Sequence, residues 1–265
     1  MPVTERYADA TAELQVTSES LTVALAHRSV RKFTDAPVDD DTLHAVIAAA
    51  QSAPTSSNLQ AWSVVAVRDP QRKARLSALS GDQQHIVDAP LFLVWIADLD
   101  RAHRLAARAG VPLDGANHLE STLIGVIDAS LAAQNAVVAA ESVGLGTVYI
   151  GAIRNHPREV AAELRLPPHT VAVFGMAIGT PDPTEDAGIK PRLPQSAVLH
   201  HEVYDTERAD ADIPRYDAAV EEYYGRFGLT GNWSDRVLAR LGDTAALHGR
   251  EKLRDDLEHF GLSTR

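Results

Sequence analysis

Four short apolar runs, set between stretches of helical periodicity, predict a domain that mixes α-helices with β-strands. The run at 91–97 is apolar at odd and even positions alike, the pattern of a strand covered on both faces. Residues 123–143 are apolar on almost every side of a helical projection, which predicts a central buried helix. No internal repeat and no clear linker divides the 265 residues. A single domain over 1–265 is therefore expected, with an N-terminal extension over 1–20 and a C-terminal arm over about 200–265.

The elements follow in order. A helix over 21–26 runs into the polar and basic segment His27-Arg28-Ser29-Val30-Arg31. PVDDDT at 37–42 offers aspartate caps ahead of Leu43, Val46, Ile47 and Ala50 at helical spacing. APTSSN at 53–58 has loop composition, and the β-branched run 63–67, closed by Arg68-Asp69-Pro70, predicts a strand. A helix over 70–79 and a polar loop over 80–85 lead to the strand at 91–97. Gly144 is placed to cap the long helix, 147–150 and 171–178 are strands, and His156-Pro157 opens a helix with proline in its first turn. The C-terminal third gathers Tyr216, Tyr223, Tyr224, Phe227, Trp233 and Phe260 among charged helical stretches, which suits wrapping a partner surface better than building a core.

Composition removes several function classes. A formal net charge of −11 opposes a nucleic-acid surface, which needs an excess of Lys and Arg. The absence of cysteine excludes disulfides, thiolate nucleophiles and iron–sulfur ligation, and fits a reducing, cytoplasmic setting. The first residues carry charge and no apolar h-region, so no secretion signal is expected, and no uncharged apolar run of about 18 residues predicts a membrane span. Gly144-Leu-Gly146 imitates the start of a dinucleotide fingerprint but follows a helix and opens a strand, the reverse of the required order. A helix cap with a tight turn explains it. His200-His201-Glu202 lies in an extended stretch whose alternate side chains diverge, a poor metal site.

Four features are candidates for binding. The 27–31 segment offers Ser29 and basic side chains at a helix end, suited to a phosphate or to plain solvation. Lys190-Pro191-Arg192-Leu193-Pro194 is stiffened by its prolines, which hold Lys190 and Arg192 on one side of an extended chain. The polar loops Thr55-Ser56-Ser57-Asn58 and Gln83-Gln84-His85 carry amides and hydroxyls that fit a flat heterocycle or ordinary turn chemistry equally well. Finally, Tyr149-Ile150-Gly151-Ala152 ends a strand in small residues, where a planar group can approach the backbone.

In this order the segments resemble the nitroreductase family, in its larger NADPH-dependent, oxygen-insensitive nitroreductase and flavin reductase branch. The matching stretches are HRSVRKFTDAPV at 27–38, SAPTSSNLQ at 52–60, GDQQHI at 81–86, AAQNAVVAAESVGLGTVYIGAIRN at 132–155 and GIKPRLP at 188–194. Weaker similarity continues through YDAAVEEYY at 216–224 and NWSD at 232–235. The resemblance implies an α+β fold, with a mostly antiparallel central sheet flanked by helices, in an intertwined homodimer holding two FMN molecules at its interface.

By position, the resemblance assigns His27, Ser29, Lys190 and Arg192 to the FMN phosphate, with Arg28 beside them. Arg31 falls at the pyrimidine edge, with Gln83 and His85 nearby, and Thr55, Ser56 and Ser57 come from the other subunit. Tyr149, Ile150, Gly151 and Ala152 line the ring. The flavin performs hydride transfer, so no catalytic side chain is named, and no metal is implied. Electrons pass from NADPH, or NADH, to a small-molecule acceptor such as a nitroaromatic or quinone in a ping-pong cycle. The branch links a basic pair in the C-terminal arm to the NADPH 2'-phosphate. Arg226 matches one member, while the other falls in the uncharged Gly228-Leu-Thr-Gly-Asn232. Delivery of reduced FMN to a partner monooxygenase, or FMN sequestration without catalysis, are the alternatives.

Overall fold

The two-sided apolar run of 91–97 lies inside an antiparallel sheet, in a computed structural model that describes residues 2–265. In chain order the elements are α1 (Pro2–Tyr7), α2 (Glu19–Ala26), α3 (Asp40–Gln51), β1 (Trp62–Val67), α4 (Pro70–Leu79), α5 (Gln84–Asp88) and β2 (Leu91–Asp98). There follow α6 (Asp100–Ala109), α7 (Leu119–Ser142), β3 (Gly146–Ile150), α8 (Pro157–Leu164) and β4 (Thr170–Gly179). The last are α9 (Gln195–Val198), α10 (Thr206–Ala211), α11 (Ile213–Gly225), α12 (Trp233–Leu241) and α13 (Leu253–His259). They fall into two units. One joins the N-terminal residues through Arg28 to Asp186–Leu247; the other joins Ser29–Glu185 to His248–Arg265.

The larger unit contains the sheet, in the order β1-β2-β4-β3 with every pairing antiparallel. Successive strand residues point to opposite faces, so β2 needs two cores. Leu91, Leu93 and Trp95 pack with Val46 and Ala50 of α3 and with Ala132, Ala136 and Val137 of α7. Phe92 and Val94 pack on the other side with Leu76 of α4, Ile86 of α5, Val148 and Val160. Burying each large apolar side chain contributes roughly 1.5–3 kcal/mol, and β2 does so on both faces. The alanines of α7 keep that helix close to the sheet.

Three expectations need correction. The loop expected over 80–85 ends early, because α5 begins at Gln84 and its buried Ile86 anchors it. Gly81 and Asp82, both at positive φ, make the turn before it. Second, α7 is not buried all round. Leu119, Leu123, Ile127 and Leu131, four residues apart, form an exposed apolar stripe, with Ile127 54% exposed. A helix that is apolar on every side gives no sign of which side its own chain leaves uncovered. By length and composition α7 would also span a bilayer, yet its opposite side is packed against the sheet unit's core.

Third, the C-terminal aromatics do build a core. In the smaller unit, Tyr216, Val220 and Tyr224 of α11 are buried together with Leu193, Tyr223 and Trp233 packed against them. Phe260 belongs instead to the sheet unit, where it and the buried Leu262 pack near Ala97, Leu99 and Val171. Charged residues between the aromatics masked their spacing: Tyr216, Val220 and Tyr224 recur every four residues on one helix face.

Candidate functional site

The basic segment after α2 is hung on the sheet edge. Ser29 bridges Thr147 of β3 in parallel, and the Val30 amide donates to the Thr147 carbonyl at 3.0 Å. Val30 is buried against Gly146, where an added Cβ would come within 2.6 Å of the valine methyl, so glycine is required there. Strand alternation then turns Ser29 and Arg31 away from the side that Val30 buries. Glu185 Oε1 accepts from the Arg31 and Lys32 amides at 2.8 and 3.2 Å, which fixes the far end. Gly144, at φ +82°, is the cap of α7, and with Gly146 it has a purely structural use.

His85 sits in the first turn of α5, partly buried. Loss of hydration, and next the charge of Arg31, hold its imidazole below the ordinary histidine range, against the smaller pull of Asp88 and Glu185. The Arg31 cation thus disfavours a second positive charge on His85. Gln83 is the N-cap of this helix; its backbone carbonyl accepts from Ser77 Oγ at 3.0 Å and its side-chain Nε2 donates to Gly81 O at 3.1 Å.

At the end of β3, Ile150 is buried while Tyr149 faces out, its ring edge-on to Phe174 at 5.0 Å. Desolvation, and then Glu141, push the Tyr149 phenol up, so it stays protonated. A Cβ built on Gly151 would meet only the Arg154 guanidinium, at 3.4 Å, an ordinary contact. Gly151 and Ala152 are part-buried, Ala152 against the sheet core.

The Thr55–Ser57 loop is pinned by a residue that sequence reasoning passed over. Asp128 of α7 is 2% exposed and accepts from the Ser56 and Ala61 amides at 3.3 and 3.0 Å, one at each end of the loop. Thr55 Oγ1 accepts from the Gln60 amide at 2.8 Å. Ser57, Asn58 and Gln60 all have positive φ, a conformation that persists only where such anchors enforce it. The signal was present: a carboxylate inside an apolar helix must find hydrogen-bond donors.

In the smaller unit the Lys190–Arg192 segment is held from several sides. Tyr216 OH donates to Pro191 O and Tyr223 OH to Gly188 O, each at 3.0 Å. The Lys190 ammonium lies 5.0 Å from the centre of the Tyr224 ring. Arg6 of α1, another residue the sequence did not point to, donates to Leu25 O, His27 O and Lys190 O, so it joins two of the expected phosphate-binding stretches. Lys190 and Arg192 remain exposed. Exposed cations on an anchored backbone suit a dianion. Arg226 lines a cleft of about 320 Å3 together with Glu5, Asp9 and Glu222.

The sequence pattern of the nitroreductase family matches residues 24–180, and that of the family's C-terminal domain matches residues 190–265. The chain belongs to the nitroreductase family. It is 40% identical over 232 residues to a Bacillus subtilis protein named FMN reductase [NAD(P)H], covering 86% of this chain and 92% of that one. The structure of NfrA2 from B. megaterium superposes with a TM-score of 0.88 at 39% identity, over 94% of this chain and 100% of that one. The NADPH:FMN oxidoreductase from Vibrio harveyi, solved in complex with NAD+, gives a TM-score of 0.84 at 35% identity, over 94% and 100% of the two chains.

The His85 environment makes a pH prediction. Its folded-state value is depressed, so its contribution to stability is complete above the ordinary histidine range and is lost as pH falls through the folded value. In an NMR titration, His85 should protonate below 6.5, and Arg31→Ala should move the midpoint upward. A midpoint that ignores the Arg31 substitution would contradict the pairing.

Proposed function

We infer that this chain is an FMN-dependent oxidoreductase that takes electrons from NADPH or NADH and passes them to a small organic acceptor. The observation that carries the reading is the anchored Lys190-Pro191-Arg192 segment, which presents two cations to solvent on an otherwise acidic chain. The names of the B. subtilis and V. harveyi relatives support the same cofactor and electron donor.

When bound, FMN supplies the two-electron hydride chemistry that protein side chains lack. The chain's residues bind and orient. Lys190 and Arg192, with His27, Arg28 and Ser29, take the phosphate through charge-assisted hydrogen bonds. Arg31 would supply a cation at the pyrimidine edge, where it would favour negative charge on that part of the ring. Gln83 and the Thr55-Ser56-Ser57 loop, the latter from a second subunit, offer polar contacts. Tyr149, Ile150, Gly151 and Ala152 form a wall that a flat group can approach.

Arg226 is the residue that would meet a 2'-phosphate. Glu5, Asp9 and Glu222 share its cleft, and their repulsion of a dianion keeps the preference for NADPH over NADH small. The relatives' names also support free FMN as one acceptor beside nitroaromatics and quinones. A second copy of the chain is the occupant proposed for the Leu119, Leu123, Ile127 and Leu131 stripe, since contiguous exposed apolar surface of this kind marks an interface.

Three experiments test these points. The FMN-loaded protein should oxidise NADPH beyond one equivalent per bound FMN only when an acceptor is present, with NADH used within about tenfold in kcat/KM, a difference of about 1.4 kcal/mol. Arg192→Ala should lose its flavin on gel filtration; turnover by neither nucleotide, or full flavin retention by that variant, would refute the assignment. Light scattering at micromolar concentration should give a dimer, and Ile127→Glu should shift it toward monomer. A monomeric wild type would remove the interface.

A further inference from the structure

The pattern of the nitroreductase family begins at residue 24, so nothing in it assigns a use to α1. Yet α1 buries a charged side chain: Arg6 is 7% exposed, beside Val3 at 4%. A guanidinium is expensive to bury unless its N–H groups find acceptors. Here they find backbone carbonyls. Nη2 donates to Leu25 O at 2.9 Å and to His27 O at 2.5 Å, Nη1 donates to Lys190 O at 2.9 Å, and Nε reaches Leu25 O at 3.3 Å. The carbonyl of Arg6 in turn accepts from the Arg192 amide at 2.8 Å. One residue thus touches the backbone of His27, Lys190 and Arg192, three of the residues proposed to hold the FMN phosphate, with Lys190 lying 184 positions away in sequence.

We propose that Arg6 is a positioning residue for the phosphate end of the cofactor site, setting the spacing between the 25–27 and 190–192 stretches. This rests on the FMN reading given above. The planar fork is what the task requires, because its donors diverge in fixed directions toward carbonyls on two chain segments. A lysine ammonium can satisfy one or two of them but cannot hold both segments at a set separation. The positive charge of Arg6 also adds to the field at a stretch that receives a dianion. The side chain does not touch substrate; it acts through the residues whose backbone it holds.

The test compares FMN with riboflavin, which has the same ring system and no phosphate. Both are titrated by fluorescence into the flavin-free full-length protein and its Arg6→Ala and Arg6→Lys variants, with a thermal melt of each. Arg6→Ala should weaken FMN about tenfold or more while riboflavin changes by less than about twofold, the signature of a lost phosphate contact. Arg6→Lys should fall between wild type and Arg6→Ala for FMN. If Arg6→Ala does not fold, Arg6→Lys carries the same comparison. Unchanged FMN affinity, or equal weakening of FMN and riboflavin, would overturn the proposal while leaving the flavin reading intact. A wild type that binds neither flavin overturns both.

Discussion

The burial of β2 and β4 on both faces is the constraint from which the rest of the molecule follows. Each of these central strands needs an apolar layer above and below, so α3 and α7 cover one face while α4, α5 and α8 cover the other. With both faces covered, openings occur at the strand ends and at the sheet edge. β1 and β3 are the edge strands, and the outer side of β3 pairs with Ser29 and Val30 rather than with a fifth strand. The same edge ends at Gly151, beside the Arg154 guanidinium.

A second theme is that polar anchors, rather than apolar packing, hold the residues proposed for binding. The Thr55–Ser57 loop rests on Asp128, the 29–32 stretch on Thr147 and Glu185, and the 190–192 stretch on Arg6, Tyr216 and Tyr223. Each anchor bonds to backbone, which leaves the side chains of Arg31, Lys190 and Arg192 exposed for a ligand. On a chain of formal charge −11, the Lys190 and Arg192 pair is a local concentration of positive charge.

Much of this was legible in the sequence, and the reasons for the rest are physical. The strand at 91–97 and the helix at 70–79 were readable because period and length agreed, and their observed bounds differ by one residue or none. The Gly144-Leu-Gly146 turn was readable as structural because its order of helix and strand was wrong for a nucleotide. The exposed stripe on α7 was not, since uniform apolarity carries no direction. The core around Tyr216 and Tyr224 was hidden by charges on the solvent face of the same helix. Arg6 escaped notice because its partners are backbone carbonyls far along the chain, which leave no mark in composition, while Asp128, a carboxylate inside an apolar helix, did carry a signal although the amides it binds could not be read.

The claim at the centre of this account is that the chain carries FMN and reduces it with a nicotinamide. The visible absorption spectrum of the purified protein, recorded before and after anaerobic addition of NADPH, tests it most directly. Flavin bands that bleach on addition are the predicted result. Flavin bands that persist with both NADPH and NADH would reduce the protein to a flavin carrier, and a protein that neither contains nor takes up flavin would contradict the account.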